Sequence, residues 1–280
     1  MIEQRKISLI SNKTCADGGQ RIPETVIERD YCLSWFLFGL AQSALMPKLA
    51  FKGGTALRRC HFQDYRFSED LDFTLLEEMT LEDLLKEFNP IFSYVKDESG
   101  IVFGHGKKEA PSENTYTFYL TYVGPLPGAA KEVKVDVTFR EKIIHKIAKK
   151  AIIKTYDEYS YFLKDKKVKV YSLEEVAIEK ICALFSPERN EPRDLYDIHH
   201  LIEVVGMDVG ELVQDVNEKL MFRGSSLAVR KGEFEKKKSE NVQQNFPDNS
   251  YNQEQVKPEL PSGIPDSDPE SGSVYIYISD

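Results

Sequence analysis

Apolar residues along the chain recur at two spacings, and the switches between them mark out the elements. From Pro23 to about Leu45, Ile27, Tyr31, Ser34, Trp35 and Phe38 fall near one stripe at helical period, widened by Leu33, Leu37 and Leu40. That pattern predicts a core-packing helix opened by Pro23. Lys48–Lys52 reads as a short strand running into Gly53-Gly54, after which Thr55–Cys60 opens a second helix. Residues 66–74 mix Phe67, Leu71 and Phe73 with polar positions in strand-like alternation. Thr80, with Asp83 three places on, caps a helix over residues 81–88.

Further on, Tyr116–Val123 and Val133–Phe139 are rich in β-branched and aromatic residues and flank the turn Gly124-Pro125-Leu126-Pro127-Gly128. They predict neighbouring antiparallel strands. After Arg140 the pattern turns helical and basic. Ser172 with Glu175 opens a helix over Leu173–Phe185, and two more follow over Asp194–Val205 and Val209–Phe222. Residues 1–22 are polar, with a turn at Gly18-Gly19, and no repeat is evident.

Composition changes this picture in two places. The 280 residues are 41% hydrophobic and carry a net charge of -9, which suits a globular protein and excludes a simple basic nucleic-acid coat protein. The charge is uneven, however. Residues 241–280 hold seven acids against Lys257, whereas residues 131–170 hold twelve Lys or Arg against six acids. A polyanion therefore remains a permitted partner. Beyond residue 232 periodicity decays among prolines and polar residues, so 232–280 reads as an acidic, flexible tail, with a strand-like piece at Val274–Ile278. Cys15, Cys32, Cys60 and Cys182 are too far apart for a zinc knuckle or redox dithiol. With no leader-like start and no membrane-length apolar run, they suit a reducing, cytoplasmic setting.

Candidate chemistry follows from strand geometry. Side chains at i and i+2 share a face, so Asp70 and Asp72 point one way while Leu71 and Phe73 enter the core. In the later strand Val133, Val135, Val137 and Phe139 form the apolar face and leave Asp136 opposite. If the two strands are neighbours, three carboxylates face one cleft. They would then be either solvated surface acids or oxygen donors for magnesium or manganese rather than zinc. Gly53 and Gly54 let the backbone approach a ligand, and the Thr55 hydroxyl could hold phosphate oxygens, although no Walker A loop is present. Lys142, Lys146, Lys150 and Lys154, with Lys149, would line one helical face, as a polyanion-binding surface or simply a solvated one.

Two segments carry a resemblance: Phe51-Lys52-Gly53-Gly54-Thr55-Ala56-Leu57, and Arg66-Phe67-Ser68-Glu69-Asp70-Leu71-Asp72. Together they resemble the signature of the nucleotidyltransferase AbiEii/AbiGii toxin family, a branch of the DNA polymerase beta-like nucleotidyltransferases. Glu28-Arg29-Asp30-Tyr31 is similar to the preceding block, with arginine where lysine is commoner. Glu179–Leu184 and Arg193–Asp197 are similar to later blocks, so the likeness spans roughly residues 24–205.

The resemblance implies an α+β fold: a mixed-sheet nucleotidyltransferase core over residues 1–140, then a helical region over 141–231 that completes the cleft. It implies the toxin half of a type IV toxin–antitoxin or phage-defence pair, with a nearby antitoxin as partner. It also implies attack of an acceptor hydroxyl, RNA and in particular the tRNA 3′ end, on the α-phosphate of a nucleoside triphosphate. Asp70, Asp72 and Asp136 would bind metal, Gly53, Gly54 and Thr55 would form the Gly-Gly/Ser element beside Lys52, and Lys180 with Asp194 would be the later Lys…Asp pair. An inter-helix salt bridge would use Lys180 and Asp194 equally well. Transfer to a protein or small-molecule hydroxyl, or binding without turnover, would use the same site.

Overall fold

Seven strands pair into one mixed sheet in the order β3-β4-β5-β2-β1-β7-β6. The computed structural model describes residues 1–16, 21–155, 166–186 and 192–229. In chain order the strands are β1 Leu49–Lys52, β2 Leu71–Leu75, β3 Val102–Lys108, β4 Thr115–Val123, β5 Lys131–Thr138, β6 Ala148–Ala151 and β7 Lys167–Val170. The pairs β1–β2, β3–β4, β4–β5 and β6–β7 are antiparallel, whereas β2–β5 and β1–β7 are parallel. The helices are α1 Gln4–Ala16, α2 Glu24–Leu40, α3 Gly53–Ala56, α4 Leu81–Ser99, α5 Leu173–Leu184, α6 Pro192–Glu203 and α7 Val213–Phe222.

Alternation along the strands divides the core into two. Phe51, Phe73, Val135, Val137, Val168 and Val170 enter a cluster under α2 and α4. Ala50 and Tyr171 face the other way, into a cluster with Val176 and Ile178 of α5 and Val216 and Leu220 of α7. The predicted caps form: Thr80 accepts from the Asp83 amide at 3.1 Å and Ser172 from the Glu175 amide at 3.2 Å.

Several elements differ from expectation for identifiable reasons. α2 stops at Leu40, because Ser43 donates to the Leu40 carbonyl and accepts from the Leu45 amide, closing a turn. α4 continues past Pro90 to Ser99, where Gly100 ends it in the left-handed region. Its stripe of Leu84, Leu85, Phe88, Ile91, Phe92 and Val95 buries enough apolar surface to outweigh the roughly 3 kcal/mol that an interior proline costs. α1 lies inside the stretch read as polar, held by Ile7 and Ile10 in the core and by the Ser11 hydroxyl on the Ile22 carbonyl. The basic helix after Arg140 is not formed. Residues 141–147 are irregular and 148–151 are strand, so Lys149 and Lys150 lie on opposite faces and the spacing of Lys142, Lys146, Lys150 and Lys154 has no helical meaning. Gly18-Gly19 and the tail beyond residue 229 fall outside the described residues. Among the described residues, no helix is long and apolar enough to cross a membrane.

β6 is tied inward through His61, whose Nε2 lies 3.0 Å from the Tyr171 carbonyl and whose Nδ1 lies 3.0 Å from Lys150 Nζ. A carbonyl can only accept and an ammonium only donate, so the ring is neutral with its proton on Nε2. Burial, reinforced by Lys150, lowers its pKa to about 4. The unfolded chain therefore binds the extra proton first, and this contribution to stability is lost as pH falls from about 6.5 toward 4. The melting temperature of His61→Gln is expected to fall less steeply than that of wild type across this window. Parallel melting curves would refute the neutral-imidazole assignment.

Candidate active site

A cleft of about 540 Å³ opens on the α5 face of the sheet, and its floor is set by register. Lys52 of β1 pairs with Asp72 of β2, and Asp72 pairs with Asp136 of β5, so the three side chains share one face. Asp70 stands just ahead of β2 and also lines the cleft. Above them the chain turns at Gly53, whose φ of +76° suits glycine and where a Cβ would sit 2.2 Å from Asp72 Oδ2. A Cβ on Gly54 would come 2.9 Å from Arg66 Nη2. A side chain at Gly53 would run into Asp72, and one at Gly54 into Arg66 and Ser68.

Burial raises the Asp72 pKa to about 6; Lys52 opposes the shift, while Asp136 and Asp70 add to it. Asp70 is raised by burial against the pull of Lys134. Asp136 accepts from the Thr117 hydroxyl at 2.6 Å and from Lys134 Nζ at 2.8 Å. Among the described residues, no three His, Cys, Asp or Glu side chains converge as a ready metal site. Both Asp136 oxygens are already engaged. The donor chemistry nonetheless suits a hard cation, since the carboxylates on this floor are half-buried side by side and repel one another.

The helical wall brings the later residues to the same cleft. Lys180 of α5 reaches Asp194 at 2.5 Å and Asp197 at 2.7 Å, both on α6 and both buried. Asp197 also takes two bonds of 2.6 Å from Arg66 and one of 2.8 Å from the Tyr65 hydroxyl. Burial would raise its carboxyl, but Arg66 and Lys180 hold it below the usual carboxylate range. Lys52 donates to Thr138 Oγ1 at 3.1 Å and lies 3.6 Å from Glu179. Glu179 in turn pairs with Lys219 of α7 and with Arg223. Thr55 is placed differently from expectation: it is buried outside the cleft lining, and its hydroxyl donates to the Asp70 carbonyl at 2.6 Å. It fixes the acidic strand against the glycine turn.

Sequence reasoning gave no role to Arg66, Lys134, Glu179 or Arg223, which line the cleft, and ranked Asp197 below Asp194. Arg66 and Asp197 lie within the segments that carry the family resemblance, and helical spacing puts Asp197 one turn from Asp194. Only the packing of α6 against α5 and against the segment ahead of β2 reveals that Asp197 gathers Lys180, Arg66 and the Tyr65 hydroxyl.

A sequence profile described as "Nucleotidyl transferase AbiEii toxin, Type IV TA system" matches residues 35–269. The chain belongs to the AbiEii nucleotidyltransferase toxin family. None of the curated proteins matches it in sequence. Among solved structures, MenT4, a nucleotidyltransferase toxin from Mycobacterium tuberculosis, is similar with a TM-score of 0.56 at 19% identity, covering 78% of this chain and 73% of that one. JHP933 from Helicobacter pylori is similar with a TM-score of 0.45 at 16% identity, covering 79% of this chain and 97% of that one. At such identities the likeness to MenT4 speaks to fold alone. The mixed sheet followed by helices is the polymerase beta-like nucleotidyltransferase fold. Of the residues in the two signature segments, Lys52, Gly53, Gly54, Arg66, Ser68, Asp70 and Asp72 line the cleft.

Proposed function

We propose that this AbiEii toxin transfers a nucleoside monophosphate from a nucleoside triphosphate to a hydroxyl of an RNA acceptor, with the tRNA 3′ end as the target the family resemblance suggests. A cognate antitoxin encoded nearby is its expected partner. The observation that carries the reading is the Lys52–Asp72–Asp136 register, which holds a half-buried carboxylate of raised pKa under a side-chain-free turn. Crowding like charges in a partly desolvated cleft opposes folding, and it is explained by a ligand that brings positive charge.

Asp70 and Asp72 would hold a magnesium or manganese ion, with Asp136 as third donor; when bound, such an ion offsets phosphate charge and favours ionisation of an acceptor hydroxyl. The chain's own residues supply position and field. Gly53 and Gly54 admit phosphate oxygens against the backbone, Lys52 and Lys180 face the triphosphate charge, and Asp194 and Asp197 orient Lys180. Asp136 helps to take the acceptor proton. In-line attack forms the new O–P bond as the bond to pyrophosphate breaks, so catalysis is mostly alignment and electrostatics.

The test is incubation with each α-labelled nucleoside triphosphate, with and without EDTA, against separate RNA, protein and small-molecule pools, the last including an aminoglycoside. Label is expected on RNA and only in the presence of divalent cation. Label confined to protein or small molecule would move the acceptor class, and no label in any pool would overturn turnover itself.

A further inference from the structure

The lysine-rich hairpin β6–β7 lies on the same sheet face as the catalytic acids, and alternation places its side chains. Phe51 pairs with Val170, and both enter the core under α2. Lys169 and Lys167 therefore project to the opposite face, the one that carries Lys52 and Asp72. Lys149 pairs directly with Lys169 and shares that face. Lys146 joins Lys149 and Lys169 in an open groove of about 630 Å³ lined also by His145, and Lys167 stands exposed two residues before Lys169 on the same face. Like charges directly opposite one another on a sheet are unfavourable. Among the described residues, none of these four lysines forms an ion pair with a carboxylate; Lys169 donates instead to the Pro47 carbonyl at 2.6 Å. The nearby acids are engaged elsewhere, Asp215 with His145 and Glu218 with Lys142.

Distance connects this row to the cleft. From Asp72 across β1 and β7 to β6 is three strand spacings, and Lys149 lies two residues back along the strand direction, so the separation is roughly 15 Å. The straight line is closed by α5 and α7 over Ala50 and Tyr171, so a polyanion several nucleotides long is needed to lie on the lysines, pass around these helices and reach the acids with its end.

We infer that Lys146, Lys149, Lys167 and Lys169 form the track on which the phosphodiester backbone of the RNA acceptor lies, a few nucleotides behind the hydroxyl presented to Asp72 and Asp136. The inference rests on the RNA reading of the proposed function. A repeating anion fits a row of lysines with no paired acids; because α5 and α7 cover Ala50 and Tyr171 between the row and the acids, that anion reaches the catalytic floor around these helices rather than along the sheet. These contacts touch phosphate and select no base.

The test uses Lys146→Glu/Lys149→Glu/Lys167→Glu in the full chain, leaving Lys169 to its carbonyl, with Lys146→Gln/Lys149→Gln/Lys167→Gln as a milder variant should the first fail to fold. The affinity of labelled tRNA is measured by anisotropy over a salt series. Loss of three phosphate contacts should lower the slope of log affinity against log salt by about 2 to 3, and the affinity itself by at least tenfold at low salt. Transfer to a dinucleotide acceptor too short to reach the track should stay at the wild-type rate while transfer to tRNA falls. Unchanged tRNA affinity and salt slope would overturn the track. So would loss of binding to phosphatidylserine vesicles with tRNA binding intact, which would make the face a membrane surface. If wild type itself neither binds nor labels any RNA, it is the RNA reading that fails, and the track falls with it.

Discussion

Asp70→Asn/Asp72→Asn is expected to lose nucleotide transfer by about 10³-fold or more and yet to melt above wild type. The two effects have one cause. At neutral pH the Asp72 carboxylate is ionised in a site where burial and the Asp70 and Asp136 charges push its pKa up to about 6. Between the ordinary carboxyl value and about 6, the folded protein binds a proton that the unfolded chain does not. Stability contributed at this group therefore falls as pH rises through that window. Asparagine is isosteric with the protonated acid and removes the dependence, so the variant should gain stability at pH 7 and show a flatter profile between pH 4 and 6. Magnesium should raise the melting temperature of wild type, because an ion that binds only the folded state stabilises it by mass action, and should not raise that of the variant. Wild-type transfer by the double variant would defeat the assignment. So would a lowered melting temperature with an unchanged magnesium response, which would make the acids structural.

How far such a site can be read from sequence depends on which physical rule fixes each residue. Asp72 and Asp136 are legible because a strand has two faces: the valines of β5 and Leu71 and Phe73 of β2 can only be core, which leaves the acids together once the strands pair. Gly53 and Gly54 are legible as a place of close approach, and the structure supplies the reason in the Asp72 and Arg66 side chains that a Cβ would strike. Thr55 shows the limit of reading by residue type, since a hydroxyl beside a glycine turn can face a ligand or its own backbone, and here it bonds the Asp70 carbonyl.

The basic segment fails differently. The repeated four-residue lysine spacing satisfies a helical template by accident, and pairing of Ala148–Ala151 with Lys167–Val170 overrides it. β3 carries two glycines and little alternation, so only its partner β4 defines it. The ion network that joins Glu175 to Lys219, and Glu179 to both Lys219 and Arg223, spans some forty residues of sequence, and no local pattern announces it.

Asp197→Ala is expected to destabilise the protein by about 3–5 kcal/mol, the usual result of removing one partner from a buried ion cluster. The carboxylate has no exposed surface and holds Arg66, Lys180 and the Tyr65 hydroxyl together. Its removal leaves a largely buried guanidinium with less counter-charge and a buried phenol without its acceptor. For a chain of this size the melting temperature should fall by roughly 10 °C. Because Arg66 and Lys180 depress this carboxyl, its stabilisation is present at neutral pH and is lost only as pH falls below the ordinary carboxyl range. Wild type and variant should therefore converge in strong acid.

Transfer separates anchoring from catalysis. Lys180→Met should leave Asp197 bound to Arg66 and Tyr65, lowering the melting temperature less than Asp197→Ala does, yet slow transfer by about 10²-fold if its ammonium meets the triphosphate. In the double variant the stability losses should fall short of their sum, since each single change removes the same ion pair. Additive losses would mean that Lys180 and Asp197 act independently. Wild-type turnover by a destabilised Lys180→Met protein would reduce the lysine to a structural counter-ion and leave Asp194 and Asp197 with nothing catalytic to orient.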